Sequence, residues 1–471
     1  MNATRALTTD GKSRSSLSLI ARIPGFSRPS PARAVTVGFL GLIVLGTVVL
    51  SLPLAVAEGD SDLWAAFFTA TSAATLTGLA VVDTGSHWSG FGQVTVLALI
   101  QLGGFGIMSL TSLAGMLLTG RIGLRSRLNA RAENRTLDSG DIRRTLLSTL
   151  LITVVCEVLV AAMTAVRFAT AYGMFGPRAV WEGVFHSVSS FNNAGFGLRS
   201  DSLVPYVGDA WIILPLAAAL ILGGLGFPVI SELWGRVRLR LRGRRLARHL
   251  SLTSRITLVG TGVLIVVGVG MVTVFEWNHT LAGLSVGDRL LAAFFQGVTP
   301  RTAGFNSLDY GEMHPSTLMG TDVLMFLGGG SAGTAGGIKI TTAVVILAAI
   351  VAEVRGDRDT TIGHRTVSQQ VVRQALTVAA VSVALAVLAV SLLRVLEPDI
   401  DGDRVVFEVV SAFATVGLST GITADLSTPS QFILCILMFL GRIGPVTLVT
   451  ALAARQTARR FDYPEERPFI G

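Results

Sequence analysis

Charge is scarce in this chain. Only 14% of its 471 residues are Asp, Glu, Lys or Arg, against about 25% in an ordinary soluble domain. A water-soluble enzyme of this size does not fit such a composition. Lysine is almost missing, with Lys12 and Lys339 the only two. The two cysteines, Cys156 and Cys435, both lie in apolar runs, so neither a disulfide framework nor a zinc site is implied. The charged, weakly hydrophobic composition of a disordered chain is lacking too. What is present is apolar surface, 51% hydrophobic residues, together with 52 glycines. The net charge of +8 does not point to nucleic acid, because the basic residues cluster between apolar runs.

Runs of roughly 20 apolar residues can cross a bilayer as helices. Eight are expected, over about 35–54, 91–118, 145–169, 210–234, 256–276, 321–352, 371–396 and 430–454. Four shorter segments, about 62–75, 179–191, 287–298 and 404–413, lie between pairs of them. They are too short to span, and each ends in a Gly-containing turn, which reads as a re-entrant half-helix. The Ser/Thr/Arg-rich stretch 1–34 has no apolar centre and is expected to be a cytoplasmic tail, not a signal peptide.

Charge orients the spans. Seven arginines fall within 121–144, and seven more with no acid fall within 236–248. Arg355, Arg358, Arg365 and Arg373 mark a third basic connection, and Arg455, Arg459 and Arg460 follow the last span. The opposite connections carry Glu58, Asp60 and Asp62, or Glu397, Asp399, Asp401 and Asp403. The positive-inside rule places the basic loops and both termini in the cytoplasm.

The spans group four times as helix, short loop segment, helix. The first loop carries Phe68 and then Thr75-Leu76-Thr77-Gly78; the second carries Phe185 and then Asn192-Asn193-Ala194-Gly195. The third carries Phe295 and Arg301-Thr302-Ala303-Gly304, and the fourth Val410 to Phe413 and Ala414-Thr415-Val416-Gly417. A second glycine signature follows at Gly103, Gly223, Gly328 and Gly441, at 25, 28, 24 and 24 residues from the loop glycine. Chance glycine enrichment does not produce two motifs in register over four units. The expected fold is therefore an all-α integral membrane protein, four pseudo-repeats around one central pore. Its units are a tail 1–34, repeats 35–120, 145–235, 256–355 and 371–456, cytoplasmic loops 121–144, 236–255 and 356–370, and a cytoplasmic tail 457–471.

Non-helical backbone at membrane depth survives only when buried in protein or lining a cavity. Glycine reaches positive φ without a side-chain clash. Carbonyls near Gly78, Gly195, Gly304 and Gly417 can then replace the water shell of a dehydrated monovalent cation. Half-helices ending there aim their negative dipole ends at the same point, which suits a cation and not an anion.

Three further features stand out. The second span of the third unit is interrupted by Gly328-Gly329-Gly330-Ser331-Ala332-Gly333-Thr334-Ala335-Gly336-Gly337, with Lys339 next but one. Each Gly there costs a helix about 1 kcal/mol relative to Ala, so a mobile loop is expected; a tight small-residue helix interface is the alternative. It is not a phosphate loop, because Ile338 separates Gly337 from Lys339. Arg442, mid-span, must face a water-filled path or a partner such as Glu157, and Lys339 either ends the loop or snorkels. Asp83, Asp201, Asp309 and Asp425 follow the loop glycines, as vestibule charges or as helix caps. Arg301 and Glu182 are expected to brace the loops from behind, and His186 to be a packed polar residue.

These loops, the run from Gly328 to Lys339 and Arg442 resemble the Trk/Ktr/HKT superfamily of potassium transporters over about residues 35–460. The short lead before the first span looks most like the Ktr-type membrane subunit (KtrB-like). The resemblance implies gated potassium uptake at the bacterial inner membrane, with a gate from Gly329 to Gly337 and Arg442 as a barrier beneath the filter. Gly at all four filter positions argues for potassium over sodium within that family. It also implies a homodimer, contact with membrane lipid, sodium dependence in some relatives, and a cytosolic Rossmann-type regulatory subunit (KtrA/TrkA-like) that binds the nucleotide. No cofactor is expected on this chain, and no catalytic set is found: no intramembrane Ser/His/Asp group, no paired aspartates and no His-x-x-x-His. The competing transport readings are an organic-solute carrier, whose folds usually use two inverted repeats, and a sodium-selective relative.

Overall fold

The computed structural model describes residues 31–57, 59, 61–119, 139–243, 250–331 and 333–444, with backbone alone for 31–34, 105–119 and 139–147. The expected tail 457–471, most of tail 1–34, most of loop 121–144, part of loop 236–255, Glu58, Asp60 and Ala332 lie outside the described residues.

The described chain is helical apart from one two-residue hairpin. Its helices are α1 (Pro31–Leu50), α2 (Leu63–Thr75), α3 (Thr84–His87), α4 (Gly90–Thr119), α5 (Ser139–Ala171), α6 (Pro177–Phe191) and α7 (Ala210–Leu225). Then come α8 (Phe227–Leu241), α9 (Leu252–Glu276), α10 (Val286–Val298), α11 (Pro315–Phe326), α12 (Ile340–Arg355), α13 (Gln369–Leu396), α14 (Gly402–Ala414) and α15 (Thr428–Ile443). The hairpin, β1 (Thr361–Ile362) against β2 (Arg365–Thr366), sits in the 356–370 connection.

Among the described residues, Ser148–Ala171, Leu252–Glu276 and Gln369–Leu396 are long and apolar enough to cross a bilayer. The span expected over 210–234 is not continuous: α7 and α8 meet at Gly226 with a 106° bend. The reason is local. Gly226 has a φ of 87°, and Pro228 follows it. Proline donates no backbone bond and its ring clashes with the carbonyl four residues back, and together with the positive-φ Gly226 it ends α7 and starts α8. The 321–352 span is likewise divided into α11 and α12 by the glycine-rich stretch. At the end of α15, Gly444 repeats the Gly226 geometry with φ 85°.

The four short helices α2, α6, α10 and α14 have 13, 15, 13 and 13 residues. At 1.5 Å per residue they reach about 20 Å, short of the roughly 30 Å hydrocarbon core. Four apolar clusters surround them, and their composition is cyclic. Phe185 of α6 is buried in the cluster built on α1 and α4; Phe295 of α10 lies in the cluster of α5 and α7. Phe407 of α14 enters the cluster of α9 and α11, and Phe68 of α2 enters that of α13 and α15. Each phenyl ring is a knob from one unit set into the core of the unit before it. The last cluster takes its knob from the first unit, so the arrangement closes on itself.

Candidate functional site

The turns after the four short helices share one backbone conformation. Gly78, Gly195, Gly304 and Gly417 have φ of 93°, 71°, 74° and 91°. Two residues before each stands a non-glycine residue that is also left-handed: Leu76, Asn193, Thr302 and Thr415, at 58°, 53°, 76° and 50°. Such residues are uncommon and strained, and four at one offset mark a built site.

Helix-end chemistry holds three of these turns. The amides of Thr77, Ala194 and Val416 donate to the carbonyls of Ser72, Ser189 and Ser411, the wide loop that closes a helix with a left-handed residue. The Gly78 and Gly417 amides donate to the hydroxyls of Ser72 and Ser411, both at 3.0 Å. The third turn differs: Ala303 N–H donates to the Thr299 carbonyl, and Thr299 Oγ1 donates to the Phe305 carbonyl at 2.5 Å.

The turns form a ring. A Cβ at Gly78 would strike the Ala194 carbonyl oxygen, and one at Gly195 would press on the Gly304 Cα and the Ala303 oxygen. A Cβ at Gly304 would strike the Val416 oxygen, and one at Gly417 the Thr77 oxygen. Each glycine thus abuts the carbonyl of the residue preceding the next glycine, around four turns and back to the first. Only hydrogen fits at each of these contacts.

One side of the ring opens into a cavity of about 570 Å³. All four glycines line it, with Asp83, Asp201 and Asp309; Asp425 does not. Asp83 and Asp309 also accept from the Gly85 and Gly311 amides, so they cap and line at once.

The other side is covered by the segment 327–339. Its strand-like ends pair at Leu327 and Ile338. Gly330 N–H donates to the Gly224 carbonyl at 2.8 Å, and Ser331 and Thr341 share a 2.7 Å hydroxyl contact. Gly333, Thr334, Ala335 and Gly336 are buried, and a Cβ on Gly336 would strike Thr415. Thr334 joins the second turn to α15: its hydroxyl lies 2.8 Å from the Asn193 side-chain amide, and its carbonyl accepts from Arg442. Lys339 Nζ donates to the carbonyls of Ala335 and Gly336, turned onto the segment and not outward.

Glu157 is not the partner of Arg442. Its carboxylate accepts from Asn192 at 3.1 Å and Gln101 at 3.3 Å, behind the second turn. Arg301 also points backward, donating to Thr261 Oγ1 at 3.1 Å, so its guanidinium is not at the ring. His186 is fully buried, with Nδ1 2.9 Å from the Glu182 carbonyl.

The second glycine signature now has a steric cause. A Cβ at Gly103, Gly223 or Gly441 would strike the carbonyl of Ala74, Phe191 or Phe413, at the ends of α2, α6 and α14. In the third unit Gly328 meets the Gly336 carbonyl instead. Sequence reading missed Phe407 as the counterpart of Phe68. The signal was its place ten residues before Gly417, the offset at which Phe68 precedes Gly78.

Among the described residues the chain thus forms a cyclic set of glycine turns, with a cavity on one face and a glycine-rich segment on the other. Residues 29–460 match the TrkH family of cation transport proteins, and the chain belongs to that family. It is an ion transporter by family, not an enzyme. It is 38% identical to the Ktr system potassium uptake protein B of Bacillus subtilis (strain 168), over 94% of this chain and 97% of the relative. It is 36% identical to the protein of the same name from Vibrio alginolyticus, over 93% and 94%. It is also 35% identical to the potassium/sodium uptake protein NtpJ of Enterococcus hirae, over 94% and 98%. The crystal structure of the potassium transporter TrkH from Vibrio parahaemolyticus shares the fold, with a TM-score of 0.67 at 20% identity, covering 89% of this chain and 85% of that one.

Proposed function

We propose that this chain carries potassium into the cell through a gated pore whose selectivity filter is the ring of turns. The filter residues are Thr75 to Gly78, Asn192 to Gly195, Arg301 to Gly304 and Ala414 to Gly417, acting through backbone carbonyls. The single observation that carries this reading is the cyclic contact of each glycine with the next turn's carbonyl. Oxygens so arranged substitute for hydration around a cation. The names of the relatives, potassium uptake proteins in two cases and potassium/sodium uptake in a third, support the choice of ion.

The cavity holding Asp83, Asp201 and Asp309 is the outer vestibule in this reading and raises the local cation concentration. Segment 329–337 with Lys339 and Arg442 is the gate: a buried plug with two basic side chains on the ion's route. A potential of about 150 mV is worth roughly 3.5 kcal/mol per charge, enough for several-hundred-fold accumulation without ATP. We carry forward eight spans in four repeats and cytoplasmic termini from the apolar runs, the motif spacing and the arginine-rich loops, and a homodimer and a cytosolic nucleotide-binding regulatory subunit from the family resemblance.

The test is rubidium uptake by the purified protein in liposomes, with sodium, potassium and caesium as competitors. Uptake blocked by potassium and little affected by sodium is expected. Stronger block by sodium than by potassium assigns the sodium-selective reading, equal block refutes a selective filter, and transport of an organic solute without rubidium flux refutes the pore.

A further inference from the structure

The ring has four seams, and the one between the last unit and the first is closed by side chains. At that seam the Trp64 indole, near the start of α2, donates to Gln431 Oε1 at 2.5 Å. The Gln431 amide nitrogen then donates to the Thr423 carbonyl at 3.1 Å. Thr423 lies six residues beyond Gly417 and lines the cavity.

The seam between the first and second units repeats the device. The Trp181 indole of α6 donates to Gln93 Oε1 at 2.8 Å. The Gln93 amide nitrogen donates to the carbonyls of Gly85 at 3.2 Å and Trp88 at 3.0 Å, and Gly85 lies seven residues beyond Gly78. Each tryptophan precedes its seam phenylalanine, Phe68 or Phe185, by four residues, and each glutamine is the fourth residue of its helix. The other two seams use other contacts. Arg404 Nη2 donates to the Gly311 carbonyl at 3.4 Å, and Leu203 N–H to the Asn306 carbonyl at 3.0 Å.

The chemistry explains the pairing. An indole N–H only donates, whereas a primary amide accepts at one end and donates at the other. Glutamine therefore ties the post-glycine segment of one unit to the short helix of the next. Both clamps border the first unit, one on each side of its turn.

We propose that the Trp64–Gln431 and Trp181–Gln93 pairs are positioning residues for ion selectivity. They hold the Thr75–Gly78 turn at a fixed distance from the ring axis, so that its carbonyls meet a potassium-sized ion and do not close onto a smaller one. This rests on the filter reading proposed above.

The test measures the potassium-to-sodium preference of rubidium flux in liposomes for Gln431→Met, Trp64→Phe and the double variant, with the matching set at Gln93 and Trp181. Wild-type flux is measured first, and its absence would strike the filter reading itself, before any variant is compared. The preference is expected to fall about fivefold in each single variant, the size of one lost hydrogen bond, with the double no worse than the poorer single. Ser391→Ala, whose hydroxyl only bonds back to Val387 on the exposed face of α13, leaves it unchanged. Normal membrane abundance with unchanged preference at both seams overturns the proposal. So do losses that simply add in the double variants, since partners of one bond must be coupled. Should Gln431→Met fail to insert, the Gln93 and Trp181 variants decide the matter by the same criteria.

Discussion

Alanine at Gly417 is the sharpest test of the ring. Gly417 has a φ of 91°, and its added methyl would run into the Thr77 carbonyl oxygen. Two effects then act together. The left-handed backbone strains an L-residue by about 1–3 kcal/mol, and the Thr77 carbonyl must swing off the ring to make room. The ion loses a well-placed oxygen, and a loss of the same size corresponds to roughly a 5- to 150-fold fall in potassium preference. Gly421 supplies the control: its φ is also 91°, but a Cβ there meets nothing within 4 Å. Gly421→Ala has the backbone strain and displaces no carbonyl, so selectivity should hold while thermal stability falls slightly. Both variants are read by sodium competition against rubidium uptake in liposomes. If Gly417→Ala retains wild-type preference at normal flux, or if Gly421→Ala loses as much as Gly417→Ala, the cyclic carbonyl collar is not what selects the ion.

Deleting Gly330 to Gly336, or replacing Arg442 by Met, should raise unregulated flux, because the plug or its tether to the Thr334 carbonyl is gone; a folded variant with less flux argues against the gate. Phe407→Ala removes a fully buried ring from the third unit's core. It should lower the melting temperature of the detergent-solubilised protein, through a loss of about 3–5 kcal/mol, and an unchanged melt would refute the cyclic packing. Glu397, just past α13, is pushed up by burial, but the Ser427 hydroxyl, the Ser430 hydroxyl and the Ser427 N–H outweigh this and hold it below the usual carboxylate range. A depressed carboxylate stabilises the fold above its unfolded pKa and loses that contribution as pH falls through the folded value. Melts should therefore weaken only below about pH 4, and Glu397→Gln should flatten that dependence.

Much of this architecture was legible because it follows from local rules. The short helices expected over 62–75, 179–191, 287–298 and 404–413 run over Leu63–Thr75, Pro177–Phe191, Val286–Val298 and Gly402–Ala414. Glycine at Gly78, Gly195, Gly304 and Gly417 announced positive φ, and all four adopt it. What was not legible depends on who neighbours whom. The left-handed Leu76, Asn193, Thr302 and Thr415 carry no glycine signal; at three of the four turns helix-end hydrogen bonds to the Ser72, Ser189 and Ser411 carbonyls hold the conformation. The order in which turns touch and the Trp–Gln seams require coordinates, whereas Phe407 was readable from its offset to Gly417. The break at Gly226 was readable in Gly226-Phe227-Pro228, but the apolar run around it hid the proline.

The glycine-rich segment illustrates the limit of composition most clearly. Its glycines predict a loop too weak to be helical, and hence a mobile one. The same glycines also let it pack where no side chain fits, against Gly224, Leu225, Thr415 and Gly226. Conformational freedom in the unfolded chain becomes close contact in the folded one. In the proposed reading this has a mechanical consequence. Thr334 is held by Asn193, two residues before Gly195, and Gly336 is pressed on Thr415, two residues before Gly417. The plug therefore leans on the very residues whose left-handed backbone shapes the second and fourth turns. Withdrawing it must remove support from opposite sides of the ring, so a gate that opens fully should also relax selectivity. A deletion variant that conducts freely with undiminished potassium preference would show that the turns hold their shape without the plug, and that their strain is borne by the clamps and helix ends alone.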